Sequence, residues 1–180
     1  MNLIEELKNY CDINNPVGAL MLSGEWGCGK TYLIKTKFIP SVKDTYVFVC
    51  ISLFGIDSLD KLRVEVKKKW LEKASEFDSL NGTKVSRVAD SCRRIFDTIK
   101  DRLPENWQKK GEVVSSIMDL INFMPISNRM FEKKVILVFD DLERTNISCT
   151  DLLGCINDYC ENQGFNTIIV ANEEKIKDRS

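Results

Sequence analysis

The sequence has 180 residues, of which 43% are hydrophobic and 29% are charged, and its formal net charge is −1. This balance predicts one soluble globular domain, and the near-zero charge gives no overall field that would attract nucleic acid or an anionic membrane. The chain contains no histidine, which excludes Ser-His-Asp and Cys-His hydrolase sites and most zinc sites.

Four apolar runs predict buried strands, because each run is continuous and does not alternate with polar residues. They cover residues 19–24, 45–54, 133–141 and 165–172. Helical patterns precede or separate them at residues 2–11, 31–38, 58–74 and 148–163. The third helix is expected to start at Asp57 and Asp60, and the fourth at a capping box of Ser148 and Asp151. Alternating strands and helices predict a parallel α/β sheet with ligands at the carboxyl ends of its strands.

The middle of the chain fits this pattern less well. We interpret residues 76–130 as a helical insertion within a single domain whose core covers residues 17–75 and 131–177, with the insertion placed between the second strand–helix unit and the acidic strand. A basic stretch from Lys84 to Lys110 could contact nucleic acid or a partner protein. Aspartates interrupt that stretch, so a solvated helix face explains it more simply.

The segment GEWGCGKT matches the pattern G-x-x-x-x-G-K-[ST] and lies between a predicted strand and a predicted helix. In that setting, backbone N–H groups and the helix N-terminus bind a polyphosphate, the lysine reaches the terminal phosphates, and the hydroxyl binds Mg²⁺. A tight surface turn and a redox-active Cys28 are the alternative explanations. The predicted nucleotide-binding residues are Gly24, Glu25, Trp26, Gly27, Cys28, Gly29, Lys30, Thr31 and Tyr32.

Acidic and amide side chains follow two later strands. We expect Asp140 to hold Mg²⁺ opposite Thr31, and Asp141 to polarise the attacking water. Glu143 is the alternative base, or simply a solvated charge in the loop. Asn172 ends the fourth strand, where its amide either orients water or a terminal phosphate or forms a turn.

The loop GEWGCGKT, taken together with VILVFDDLER, resembles the KAP family of P-loop NTPases over residues 17–56 and 133–174. The resemblance implies a three-layer α/β/α P-loop fold with an extra strand between the loop strand and the acidic strand. It implies catalytic roles for Lys30, Asp141 and Asn172, and Mg²⁺ ligation by Thr31 and Asp140. Arg144 closes the signature, and it either contacts a neighbouring subunit or fixes the loop.

Such ATPases continue into a fifth strand and a lid, so we expect the domain to be incomplete at its C-terminus. The leading hypothesis is a cytoplasmic, Mg²⁺-dependent ATPase whose turnover drives assembly or signalling. The resemblance implies a bacterial antiviral setting, with self-association or an effector protein as the partner. The alternatives are a nucleotide-binding switch with little turnover and a small-molecule kinase.

Overall fold

The computed structural model describes residues 2–81, 126–130, 132–172 and 175. The chain divides into two compact units, Met1–Leu62 with Ser127–Ser180, and Arg63–Ile126. Residues 82–125 of the expected helical insertion, including the basic stretch from Lys84 to Lys110, lie outside the described residues. In the part that is described, no helix has the length and apolarity needed to span a bilayer.

The sheet lies in the first of these units. Its strands are β1 (Leu20–Ser23), β2 (Tyr46–Ser52), β3 (Arg129–Met130), β4 (Lys133–Asp140) and β5 (Asn166–Ala171). Four of them are parallel and lie in the order β1-β5-β4-β2, while β3 pairs antiparallel with the start of β4. The predicted α/β architecture with a parallel sheet is therefore confirmed. Strand β5 lies between the loop strand and the acidic strand.

The helices follow the predicted order with three differences in detail. They are α1 (Leu3–Asp12), α2 (Lys30–Tyr32, a π-helical segment Leu33–Phe38, and Ile39–Val42), α3 (Leu59–Asn81) and α4 (Cys149–Glu161). The π-helical segment was not predicted. Helix α3 continues beyond the expected residue 74. Asp60 lies in the first turn of α3 as expected, but Ser58 takes the capping position expected for Asp57: Ser58 Oγ accepts from Lys61 N at 3.3 Å, while Asp57 pairs with Lys61 Nζ.

Helices cover both faces of the sheet. On one face, α1 and α2 bury their apolar sides against alternate residues of the strands; the cluster includes Leu7, Cys11, Ile34, Phe38, Val42, Phe48, Ile136, Val138, Ile168 and Val170. The intervening strand residues point to the opposite face. There the ring of Phe139 in β4 lies 6.3 Å from the ring of Tyr159 in α4. This double coverage explains why the strands read as continuous apolar runs.

Polar contacts join α1 to the start of β5. The Tyr10 hydroxyl donates to Gly18 O and accepts from Thr167 N, each at 2.9 Å. The Asn166 amide donates to the carbonyls of Tyr10 and Ile13 at the end of α1. Burial raises the pKa of Tyr10 to about 12, although the bond from Thr167 N opposes the shift. These contacts fix the helix that covers one face of the core.

Leu7→Ala tests whether α1 belongs to this core. Leu7 is 0% exposed, whereas Leu3 of the same helix is 39% exposed. We expect Leu7→Ala to lower the free energy of unfolding by about 2–5 kcal/mol, and Leu3→Ala to lower it by less than about 1 kcal/mol. Urea unfolding measures both. Equal losses would contradict the packing of α1.

Tyr10→Phe tests the hydroxyl bridge through pH. At neutral pH we expect Tyr10→Phe to lower the free energy of unfolding by about 1–3 kcal/mol, because Thr167 N and Gly18 O lose their hydrogen-bond partner. The pKa of Tyr10 rises from 10.0 to about 12 on folding, so its protonated form stabilises the fold below pH 10 and this contribution is lost as pH rises through about 12. The stability difference between wild type and variant should therefore narrow between these values. Tyr32→Phe, at an exposed tyrosine, is the control and should show no such change.

Candidate functional site

The glycine-rich loop connects β1 to α2 at the carboxyl edge of the sheet. Gly27 and Gly29 have φ of 82° and 90°, values that L-residues with a side chain rarely adopt. Leu33 N donates to Gly29 O at 2.8 Å, so the helix begins directly after the second of these glycines. The loop therefore ends at the N-terminus of α2, as the sequence pattern predicts.

Lys30 folds back over its own loop. Its Nζ donates to Gly24 O and Glu25 O, both at 2.7 Å, and lies 3.7 Å from Cys28 Sγ. These bonds place a positive charge inside the curve of the loop, next to the first turn of α2. An anion entering the loop would meet that charge.

Asp140 ends β4 and meets α2. Its Oδ1 accepts from Thr31 Oγ1 at 3.0 Å, and its Oδ2 accepts from Lys35 Nζ at 3.1 Å. The backbone N–H of Asp141 also donates to Oδ1 at 3.1 Å. Asp140 is only 5% exposed, so these donors compensate a carboxylate that water barely reaches. The structure thus brings together the two residues that the sequence predicts as Mg²⁺ ligands.

Asp141 lies in the turn after β4 and differs from Asp140 in its surroundings. Its φ is 61°, in the left-handed region. Arg144 Nε lies 3.1 Å from its Oδ1, and Ser52 Oγ at the end of β2 lies 3.4 Å from its Oδ2. The guanidinium of Arg144 also stacks over the ring of Phe54, 5.7 Å from its centroid. Arg144 therefore contacts both the loop after β4 and Phe54 in the segment after β2.

Glu143 and Asn172 form a second connection at this edge. Glu143 Oε2 accepts from Asn172 N at 3.1 Å, which links the loop after β4 to the end of β5. Asn172 is 4% exposed and its Oδ1 is buried without a hydrogen-bond partner. A buried amide oxygen of this kind is costly unless a donor reaches it.

A cavity of about 260 Å³ opens between the loop and the strand ends. It is lined by Trp26, Gly27, Gly29, Lys30, Thr31, Tyr32, Asp140, Asp141, Glu143, Arg144, Val170 and Ala171. Most of the predicted site residues thus share one wall. Gly24, Glu25, Cys28 and Asn172 do not line it; Gly24 and Glu25 instead hold Lys30 through their carbonyls.

Lys35 contacts Asp140 and Ser52 contacts Asp141, but the sequence analysis predicted neither residue as part of the site. Lys35 follows Thr31 by one turn, and residues so spaced share a helix face, so its place could have been deduced once Thr31 was assigned. Ser52 pairs in register with Asp140 across β2 and β4. That neighbour relation depends on the pairing of β2 with β4, which the sequence did not reveal.

A family model for the KAP family P-loop domain matches residues 2–179. The chain belongs to the KAP family. Comparisons with curated proteins and with solved structures give no significant match. Nucleotide binding is the activity that KAP membership indicates, and P-loop NTPases in general use ATP and Mg²⁺.

The residues present fit a Mg²⁺ ion. The hydroxyl of Thr31 and the carboxylate of Asp140 are oxygen ligands, and they are hydrogen-bonded to each other at the cavity wall. Mg²⁺ prefers oxygen ligands, with a few supplied by protein groups and the others by phosphate and water. The ammonium of Lys35 already lies against Asp140, which shows that a cation is accommodated beside this carboxylate.

Two glycine substitutions, which we expect to change stability in opposite directions, test the loop conformation. Gly29 has φ +90 and no atom within 4 Å of an added Cβ, so Gly29→Ala should cost about 1–2 kcal/mol of stability through backbone strain alone. Gly154 lies inside α4 with equally open space, so Gly154→Ala should stabilise by about 0.5–1 kcal/mol. Thermal unfolding of both variants measures this; a neutral Gly29→Ala would contradict the conformation.

Proposed function

We propose that this KAP domain binds and hydrolyses ATP in a Mg²⁺-dependent reaction. The observation that carries the proposal is the contact between Thr31 Oγ1 and Asp140 Oδ1, two residues 109 positions apart in the chain. The contact lies in the wall of the same cavity as the loop and Lys30. A hydroxyl after the loop lysine, beside an acid from a strand end, is the oxygen pair that holds Mg²⁺ in P-loop NTPases.

Lys30 and the loop would bind the phosphates. The N–H groups at the start of α2 and the ammonium of Lys30 supply positive charge where the polyphosphate would lie. Lys30 must then exchange its bonds with the Gly24 and Glu25 carbonyls for bonds with phosphate oxygens. Mg²⁺, held by Thr31 and Asp140, would neutralise charge on the outer phosphates.

We propose that the carboxylate of Asp141 orients the attacking water and acts as the base that deprotonates it. This residue lines the cavity directly after Asp140, and Arg144 and Ser52 hold its carboxylate from two sides. Glu143 is the alternative, because it lines the same cavity and its Oε2 already contacts the end of β5. Asn172 is the proposed sensor of the attacking water, since its unsatisfied Oδ1 would accept a hydrogen bond from water at that strand end.

A second candidate is a nucleotide-binding switch with little turnover. The ion pair of Asp141 with Arg144 favours it, because an acid engaged by a guanidinium is less available to take a proton from water. Both candidates require the same loop and the same Mg²⁺ ligands, so they differ only in the rate of phosphate release.

We also propose that the domain works in an assembly, in line with the bacterial defence role implied by the family resemblance. Trp26 and Tyr32 line the cavity and are 68% and 60% exposed, and Phe54, beside Arg144, is 67% exposed. Large apolar side chains exposed around one opening are typical of protein contact surfaces. A partner bound there would also shield the cavity from water.

Phosphate release from ATP with Mg²⁺, together with calorimetric nucleotide binding, tests the reaction. Lys30→Ala should abolish both, because it removes the phosphate contact. Asp141→Asn should preserve binding and lower release by about 10²–10⁴-fold, and Asp57→Asn, at an exposed ion pair with Lys61, should change neither.

The outcomes separate the candidates. If Glu143→Gln lowers release and Asp141→Asn does not, Glu143 is the base. Binding without release in wild type indicates the switch, and release without any added acceptor argues against a kinase. Wild type that does not bind nucleotide would contradict the proposed function.

A further inference from the structure

Lys35 places a second cation at the proposed Mg²⁺ site. Its Nζ lies 3.1 Å from Asp140 Oδ2, and the side chains of Lys35 and Asp140 are 48% and 7% exposed. The lysine therefore reaches from solvent to a nearly buried carboxylate. Thr31 and the Asp141 N–H occupy the other oxygen, Oδ1.

The two donors on Oδ1 carry no net charge, so among the described residues Lys35 is the cation paired with Asp140. A carboxylate shielded from water is costly without a positive partner. The same carboxylate would repel a polyphosphate in the cavity that it lines. Either Lys35 or Mg²⁺ can remove that repulsion.

We propose that Lys35 is an internal counter-cation that occupies the side of Asp140 needed by Mg²⁺, so that the metal competes with the lysine and nucleotide binds even without metal. This inference rests on the proposed function, and it concerns how the same site is regulated by metal. The residue acts through Asp140 and is a positioning residue, not a catalytic one.

A lysine suits this exchange. Its ammonium is a compact charge on a flexible stem, and half of the side chain is already exposed, so it can withdraw into water at little cost. The neighbouring residues Ile34 and Phe38 are buried and anchor the same turn of α2, so the side chain can leave without moving the helix.

The test compares nucleotide affinity in Mg²⁺ with affinity in EDTA, using a fluorescent ADP analogue. In Lys35→Gln we expect affinity in EDTA to fall about fivefold, because Asp140 keeps an unneutralised charge, while affinity in Mg²⁺ stays within about twofold of wild type. The ratio of the affinity in Mg²⁺ to the affinity in EDTA therefore rises. Lys35→Arg keeps the charge and should retain the wild-type ratio, as should Lys61→Gln at the exposed pair with Asp57.

A double variant isolates the pair. In an Asp140→Asn background, Lys35→Gln should no longer change affinity in EDTA, because the charge to be neutralised is gone. Equal losses of affinity in both buffers would assign Lys35 a merely structural role and overturn the inference alone, as would an unchanged ratio. Wild type that binds nucleotide in neither buffer would overturn the proposed function and this inference with it.

Discussion

The hydrogen bond from Thr31 Oγ1 to Asp140 Oδ1 joins segments that are 109 residues apart. It forms because β1 and β4 are parallel members of one sheet with β5 between them, so both end at the same edge. Neighbouring strands are about 4.8 Å apart, which leaves a gap of roughly 10 Å between the ends of β1 and β4. The loop and the first turn of α2 span that gap. The cavity therefore depends on this strand order.

Two adjacent aspartates at this edge differ in how firmly they are held. The Asp140 side chain is 7% exposed and bonded on both oxygens, so moving it would break those bonds. The Asp141 side chain is 31% exposed, and its pairing with Arg144 is screened by water and correspondingly weak. A fixed acid suits metal ligation and a more loosely held acid suits contact with water, which supports the roles proposed for each.

Continuous apolar runs predicted the four parallel strands because helices cover both faces of the sheet, and that pattern is local. The loop was predictable for a similar reason, since Gly24 to Thr31 carry their own pattern. The pairing of β2 with β4 depends on long-range packing, so the contact of Ser52 with Asp141 was not visible in the sequence. Strand β3 has two residues, too few to show any period. The bonds of Arg144 depend on a left-handed turn at Asp141, which aspartate does not require.

The π-helical segment Leu33–Phe38 in α2 gives this helix one wide turn directly after the loop. Residues buried at every fourth position, Ile34, Phe38 and Val42, stay aligned with the core through that turn. An α-helix advances about 100° per residue, so deleting one residue here would rotate everything downstream by that angle relative to Thr31. The number of residues between the loop and Val42 is thus constrained by helical phase, and length changes in this stretch should be tolerated far less than changes of side chain.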